Sequence, residues 1–332
     1  MKLTRILALA LLATTSTCGH ADEPAYHVSQ IQPLDNGQHW DYLAYDADHH
    51  HLFIAHGDHA DVYDTLSHQL VGRIDHTSGI HGIAFVPRLD LGFTSNGKRN
   101  DVTAFRLSTL KTVTSIPTEG NPDAILYDPA SGHIVTANGK GRSLTIIDPQ
   151  SLRNIGNIQM DARPEYTIAD GKGSLFTNAE DKNQIIQTDS LHGKVLHRYS
   201  MTGTCDAPSG LAYDPATRHL FSVCQNHVMV VMDAQTGKIV QTLSIGDDPD
   251  AAIHDHQHHL VFSSNGGSGT LTVIGERNGR YEVRQTVRTA PGARTMALDE
   301  TSGKIYLVTR SKQTPNDEKG ATDGFELITV SP

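Results

Sequence analysis

Short runs of alternating apolar and polar residues, each bounded by turn-forming residues, recur along almost the whole chain. Residues 121–148, NPDAILYDPASGHIVTANGKGRSLTIID, show the unit. Ile125 and Tyr127 alternate with Leu126 as in a strand, and Asp128, Pro129, Ala130, Ser131 and Gly132 supply turn chemistry. Residues 134–137 form a second β-prone run. The segment from Gly139 to Arg142 then breaks the chain before a third strand over 144–147. Three short strands bury too little apolar surface to be stable alone, so the unit requires copies of itself on either side.

The copies are present. The Asp that ends the first strand recurs as Asp46, Asp128, Asp170, Asp214, Asp255 and Asp299, with Val86 in that place in the second copy. Five residues earlier stand Asp41, His81, Asp123, Glu165, Ser209, Asp250 and Arg294, at gaps of 40, 42, 42, 44, 41 and 44. Seven strand-rich units of this length predict an all-β, seven-bladed β-propeller. A helical solenoid has a similar period, but Asp-Pro and Gly-rich turns leave no room for paired helices. A spare strand, AYHVSQIQPL over 25–34, precedes the first unit, and the last unit ends with a strand over 325–330. Pairing the two makes the N-terminal strand the outermost strand of the seventh blade and closes the ring.

Residues 1–21 carry Lys2 and Arg5, then an apolar run over 6–13, then small residues ending in Ala21. This is the pattern of a secretory signal peptide cleaved after Ala21, and it predicts a periplasmic or secreted protein with one domain over 22–332. Cys18 raises the alternative of a lipoprotein, but Thr15, Ser16 and Thr17 make a poor lipobox. Loss of Lys2 and Arg5 leaves 25 basic against 37 acidic side chains, a balance of −12. That charge repels phosphate backbones, so nucleic acid is not an expected partner. No later apolar stretch is long enough for a transmembrane anchor, and a monomer is expected. Cys205 and Cys224 are then the remaining cysteines, and a disulfide between them suits an oxidising compartment. Two free thiols able to bind a soft metal are the alternative.

In a propeller the first strand of each blade lies nearest the axis. The residues that start it, Asp41, His81, Asp123, Glu165, Asp250 and Arg294, are therefore expected around the channel mouth as a ligand-binding set. Asn96, Asn138 and Asn265, at the ends of second strands, are expected on the same rim. The plainer alternative is that these side chains are only solvated. His39, His56, His59 and His81, with Asp41 as a carboxylate, converge there as a candidate zinc or copper site. Two further histidine groups, His49 to His51 and His254, His256, His258 and His259, are placed in turns on the opposite face. Phosphate-loop, HExxH and CxxC signatures are absent, and Gly266-Gly267-Ser268-Gly269-Thr270 only approaches GxSxG.

The stretches PDAILYDPASGHIVTANGKGRSLTIID, PSGLAYDPATRHLFSVCQNHVMVVMDAQTGKIVQTLSIG and PDAAIHDHQHHLVFSSNGGSGTLTVIG together resemble the YVTN family of seven-bladed propellers, including its periplasmic YncE-like members. VTAN, TSNG and SSNG stand where that family has YVTN or YVAN, and the turn from Asp233 to Lys238 is similar. The resemblance implies the fold over nearly the whole mature chain. Sugar lactonases similar to regucalcin hold a metal at positions that are Ser209 and Cys224 here, so that site is not carried over. Nucleic-acid binding has been suggested for the YncE-like group, but the charge of −12 and the single Trp40 argue against it here. The favoured function is a non-enzymatic extracytoplasmic scaffold that binds a small molecule, a metal ion or a protein or peptide segment at the rim. The rival is a lactonase-like hydrolase or lyase with His81 or Glu165 as base and Arg294 as anion clamp.

Overall fold

Alternation along the strands decides what packs where. Second and third strands of the blades, such as Leu91–Asn96 and Val228–Asp233, are buried along nearly their whole length, whereas outer strands such as Lys194–Ser200 alternate between half-buried and exposed positions. The core therefore lies between blades, with every sheet covered on both faces by its neighbours. Ala84, Val86, Phe93, Ile134 and Ile147, for example, form one cluster shared by the second and third blades.

The computed structural model describes residues 25–34, 39–310 and 324–332; the signal-like segment 1–21, including Cys18, lies outside them. The described residues form seven four-stranded antiparallel sheets. Blades one to six span residues 43–74, 80–117, 122–159, 164–200, 208–244 and 249–288, with strands in chain order from the axis outwards. The seventh takes Met296–Asp299, Lys304–Arg310 and Phe325–Ser331 from the end of the chain. Its fourth strand is His27–Leu34, which pairs antiparallel with Phe325–Ser331 in the register Val28 to Val330 and Ile31 to Ile328. Successive first strands pack side by side, and Met296–Asp299 returns to Leu43–Asp46, so the ring is closed as expected. Tyr26, 1% exposed, meets Phe262 edge-on at 5.1 Å and ties the N-terminal strand to the sixth blade.

The recurring Asp has a local cause. Asp128 accepts from the backbone N–H groups of Ala130 and Ser131 and from the Ser131 hydroxyl, and Asp214, Asp255 and Asp299 cap their turns in the same way. The second blade, which has Val86 instead, turns through a short 3-10 helix, Pro87–Leu89, ended by Asp90 in the left-handed region. At the other end of the first strands, pairing slips between Ile80 and Ile83, Pro122 and Ile125, Pro164 and Thr167, Pro208 and Leu211, and Pro249 and Ala251. His81, Asp123, Glu165, Ser209 and Asp250 all fall inside these irregularities, which re-aim a strand at a rim.

Candidate functional site: the channel mouth

The backbone of the mouth is pinned from one blade to the next. Ser95 Oγ donates to the carbonyl of Asp123, Ser264 Oγ to that of Arg294, Thr295 Oγ1 to that of Asp41 at 2.7 Å, and Asn178 Nδ2 to that of Ser209 at 2.7 Å. Each bond crosses from one blade to the start of the next. The residues that face the axis are thus held on rigid elements, the condition for a defined site.

The side chains gather as the repeat alignment predicts. His81 Nδ1 lies 2.7 Å from Asp41 Oδ2 and 3.7 Å from Asp123 Oδ1. Arg294 Nε lies 2.9 Å from Asp250 Oδ2, an ion pair without hydrogen-bond alignment. Glu165 keeps 22% of its side chain exposed; its Oε2 has no hydrogen-bond partner among the described residues, and its nearest cation is Arg163 at 4.0 Å. Arg163 in turn pairs with Glu180 at 2.9 Å. Below the mouth, Tyr42 and Tyr166 come from non-adjacent blades, with ring centroids 5.1 Å apart, and Tyr42 donates to the carbonyl of Asp250 at 2.8 Å. Each of these tyrosines directly follows a rim residue, Asp41 or Glu165.

Acidic groups gathered in this way are hard to ionise together. Burial pushes the Glu165 carboxyl up to about 9, with Asp123, Glu180 and Asp250 adding repulsion. Asp250 is pushed up to about 7 by burial and by Asp41, against the pull of Arg294. Asp123 is raised by burial and by Asp41, which outweigh the attraction of His81. Burial opposes the charge on His81, but the hydrogen bond to Asp41 and the fields of Asp123 and Asp41 prevail and hold it at about 9.

Other expected residues lie elsewhere. Asn96, Asn138 and Asn265 are fully buried inside their blades and engaged there: Asn138 Nδ2 donates to Ser143 and Thr145, and its Oδ1 accepts from Thr136. Asn96 and Asn265 make the matching bonds, so these three stiffen the blade beneath the rim and are not presented at the mouth. The five-residue metal set also divides. Among the described residues, the groups whose donor atoms lie within 4.8 Å of one another are Asp41, His81 and Asp123 in the mouth, and His56, His59 and Asp61 in the first blade. His39 is exposed and lines a cavity with His56 and His59. The reason is that the hairpin linking the second and third strands of blade one directs His56 and His59 towards Asp61 and away from the axis.

His49 and His50 occupy a turn, but His51 begins the strand His51–His56, and His254 is a buried strand residue, held by burial down at about 4. Cys205 and Cys224 are disulfide-bonded. The residue facing Cys224 is Pro208, because the irregularity displaces Ser209 by one place. Sequence reasoning overlooked Asp61, Arg163, Glu180, Tyr42 and Tyr166. A signal for the tyrosines existed, since the place following the rim residue is Gly82, Ala124, Gly210, Ala251 or Thr295 in the other blades.

No protein-family model and no curated protein sequence matches the chain. Among solved structures, one similar to it is a chain of Kuenenia stuttgartiensis hydrazine synthase, at a TM-score of 0.73 and 14% identity over 82% of this chain and 93% of that one. A chain of the mitotic checkpoint complex gives 0.77 and 12% over 99% of both. The WD40 repeats of RRP9 give 0.77 and 8% over 92% of this chain and 99% of that one. At these identities the likeness carries architecture alone, and with the seven sheets it makes the chain a seven-bladed β-propeller.

Proposed function

We propose that this protein is an extracytoplasmic binding propeller of the YVTN type whose channel mouth takes a small cationic ligand, a divalent metal ion or an organic amine. The observation that carries this reading is the Glu165 carboxyl, set among Asp123, Glu180 and Asp250, which has no cationic side chain closer than Arg163 at 4.0 Å among the described residues. A ligand cation supplies the charge that protons supply in its absence. The internal disulfide supports the compartment, and no helix of the described residues is long and apolar enough to cross a membrane.

The hydrolase reading draws less support. His81 holds a proton up to about 9, so it is a poor base at neutral pH, and a Glu165 carboxyl raised to about 9 is no better. Arg294, the intended anion clamp, faces Asp250 at 2.9 Å. Calorimetric titration with calcium, zinc and a panel of mono- and diamines tests the cation reading. The exposed turn histidines are first replaced by Gln so that they do not report. Binding with release of protons is expected, and Glu165→Gln should weaken it about tenfold, the loss of one charge-assisted contact. Silence across the whole panel, or full affinity in Glu165→Gln, overturns the proposal.

A further inference from the structure

In three blades, the last residue of the second strand and the first and third residues of the third strand form a hydrogen-bonded trio built on an Asn, with at most one metal-ligating carboxylate: Asn96, Asp101 and Thr103; Asn138, Ser143 and Thr145; Asn265, Thr270 and Thr272. In each trio the Asn amide donates to the other two side chains. Blade one carries His56, His59 and Asp61 in these places, with His56 paired to His59 and Ile54 to Asp61. All three are side-chain types that ligate metals. The connecting loop is also shorter, consisting of Gly57, in the left-handed region at φ 68°, and Asp58. Residues 97–100, 139–142 and 266–269 fill the corresponding place in the other blades.

The geometry is that of a supported ligand set. His59 Nδ1 lies 2.8 Å from Asp58 Oδ1, and as the donor in that bond it leaves Nε2 with the lone pair. Nε2 is buried without a hydrogen-bond partner among the described residues and lies 3.4 Å from Asp61 Oδ2. His56 Nδ1 reaches the same oxygen at 2.9 Å, and its ring stacks on Phe325 at 4.9 Å. Arg73 occupies the other oxygen, Oδ1, at 3.0 Å, leaving Oδ2 to the histidines. Beside the trio is a cavity of about 410 Å³ lined by His39, His56, Gly57, Asp58, His59, Ser78 and Lys98. A metal held on one side by the trio would keep coordination positions open towards this space.

We infer that the first blade carries a site for a first-row divalent transition metal, held by His59, Asp61 and His56, with Asp58 as the outer partner that orients His59. It is separate from the channel mouth and goes beyond the cation reading made for it. Two imidazoles and one carboxylate favour zinc, cobalt or copper over calcium, which prefers oxygen. The test uses the full mature chain with His49, His50, His51, His256, His258 and His259 replaced by Gln. It is titrated with cobalt(II), followed by visible absorption, and with zinc by calorimetry. Binding of one metal per chain is expected, weakened at least tenfold in His59→Gln and about tenfold in Asp58→Asn, as outer partners of metal-bound histidines usually are. Asp58 is 79% exposed on its side chain, so its variant folds and decides the matter even if His59→Gln does not. Parental affinity in both variants places any metal elsewhere, the mouth included, and overturns the inference, as does a parent chain that binds neither metal.

Discussion

Glu165 shows how one residue in this ring takes its properties from residues distant in sequence. Nothing beside it in the chain, Pro164, Tyr166 or the cation Arg163, suggests a carboxyl raised to about 9; the cause is burial with Asp123, Glu180 and Asp250. A raised carboxyl keeps in the folded chain a proton that the unfolded chain releases near 4.5, so its effect is to make stability fall as pH rises from there to about 9. Asp250, raised to about 7, acts with the same sign over its lower range. His81 adds to the trend, because its stabilising charge is fully present below 6.5 and is lost as pH passes about 9. Glu165→Gln should therefore raise the Tm by a few degrees at about pH 8, an effect on the order of 1–2 kcal/mol, and change it little at about pH 5. Thermal melts of both chains across this range check the expectation, and an equal change at both pH values would contradict it.

Among the elements, the inner strand and its irregularity do the most for the site. The turn at one end follows from local chemistry, Asp and Gly at fixed offsets, whereas the slip at the other end lies in the pairing of the first strand with the second strand of the same blade. That slip is why Pro208 and not Ser209 opposes Cys224. Cys205 lies in the loop before this strand, and its bond to Cys224 closes a loop of 19 residues. Cys224→Ser should lower stability by about 3 kcal/mol, measured by urea unfolding without reductant. A parent chain of residues 22–332, unfolded without reductant, should yield almost no titratable thiol; two thiols would mean that the disulfide does not form in the protein.

The whole molecule depends on closing the ring. His27–Leu34 covers the edge of Phe325–Ser331, and Tyr26 fills a fully buried place against Phe262. A chain beginning after residue 34 loses that strand and an aromatic core residue, leaving a row of unpaired backbone groups. It should melt well below a chain of residues 22–332, with a loss on the order of 3–5 kcal/mol from the tyrosine alone, and should associate through the exposed edge. Differential scanning calorimetry with light scattering reads both effects. A monodisperse truncated chain with an unchanged Tm would show that the N-terminal strand does not hold the ring together.

The period of Asp46, Asp128, Asp214 and Asp299, the alternation between them and the spare strand over 25–34 were enough to set blade number, strand order and closure, because turn chemistry and period-two burial are local properties of the chain. They also placed Asp41, His81, Asp123, Glu165, Asp250 and Arg294 on one rim, since equal positions in a repeat lie on equal levels of a ring. Side-chain direction and charge were decided by the tertiary structure. Asn138 turns into its blade to bond Ser143 and Thr145, and Tyr42 meets Tyr166 across the axis. His56 and His59 join Asp61 away from His81 because a two-residue loop sets that hairpin. Such contacts join strands whose distance and twist no local pattern encodes, so the level of each residue was legible in the sequence and its partners were not.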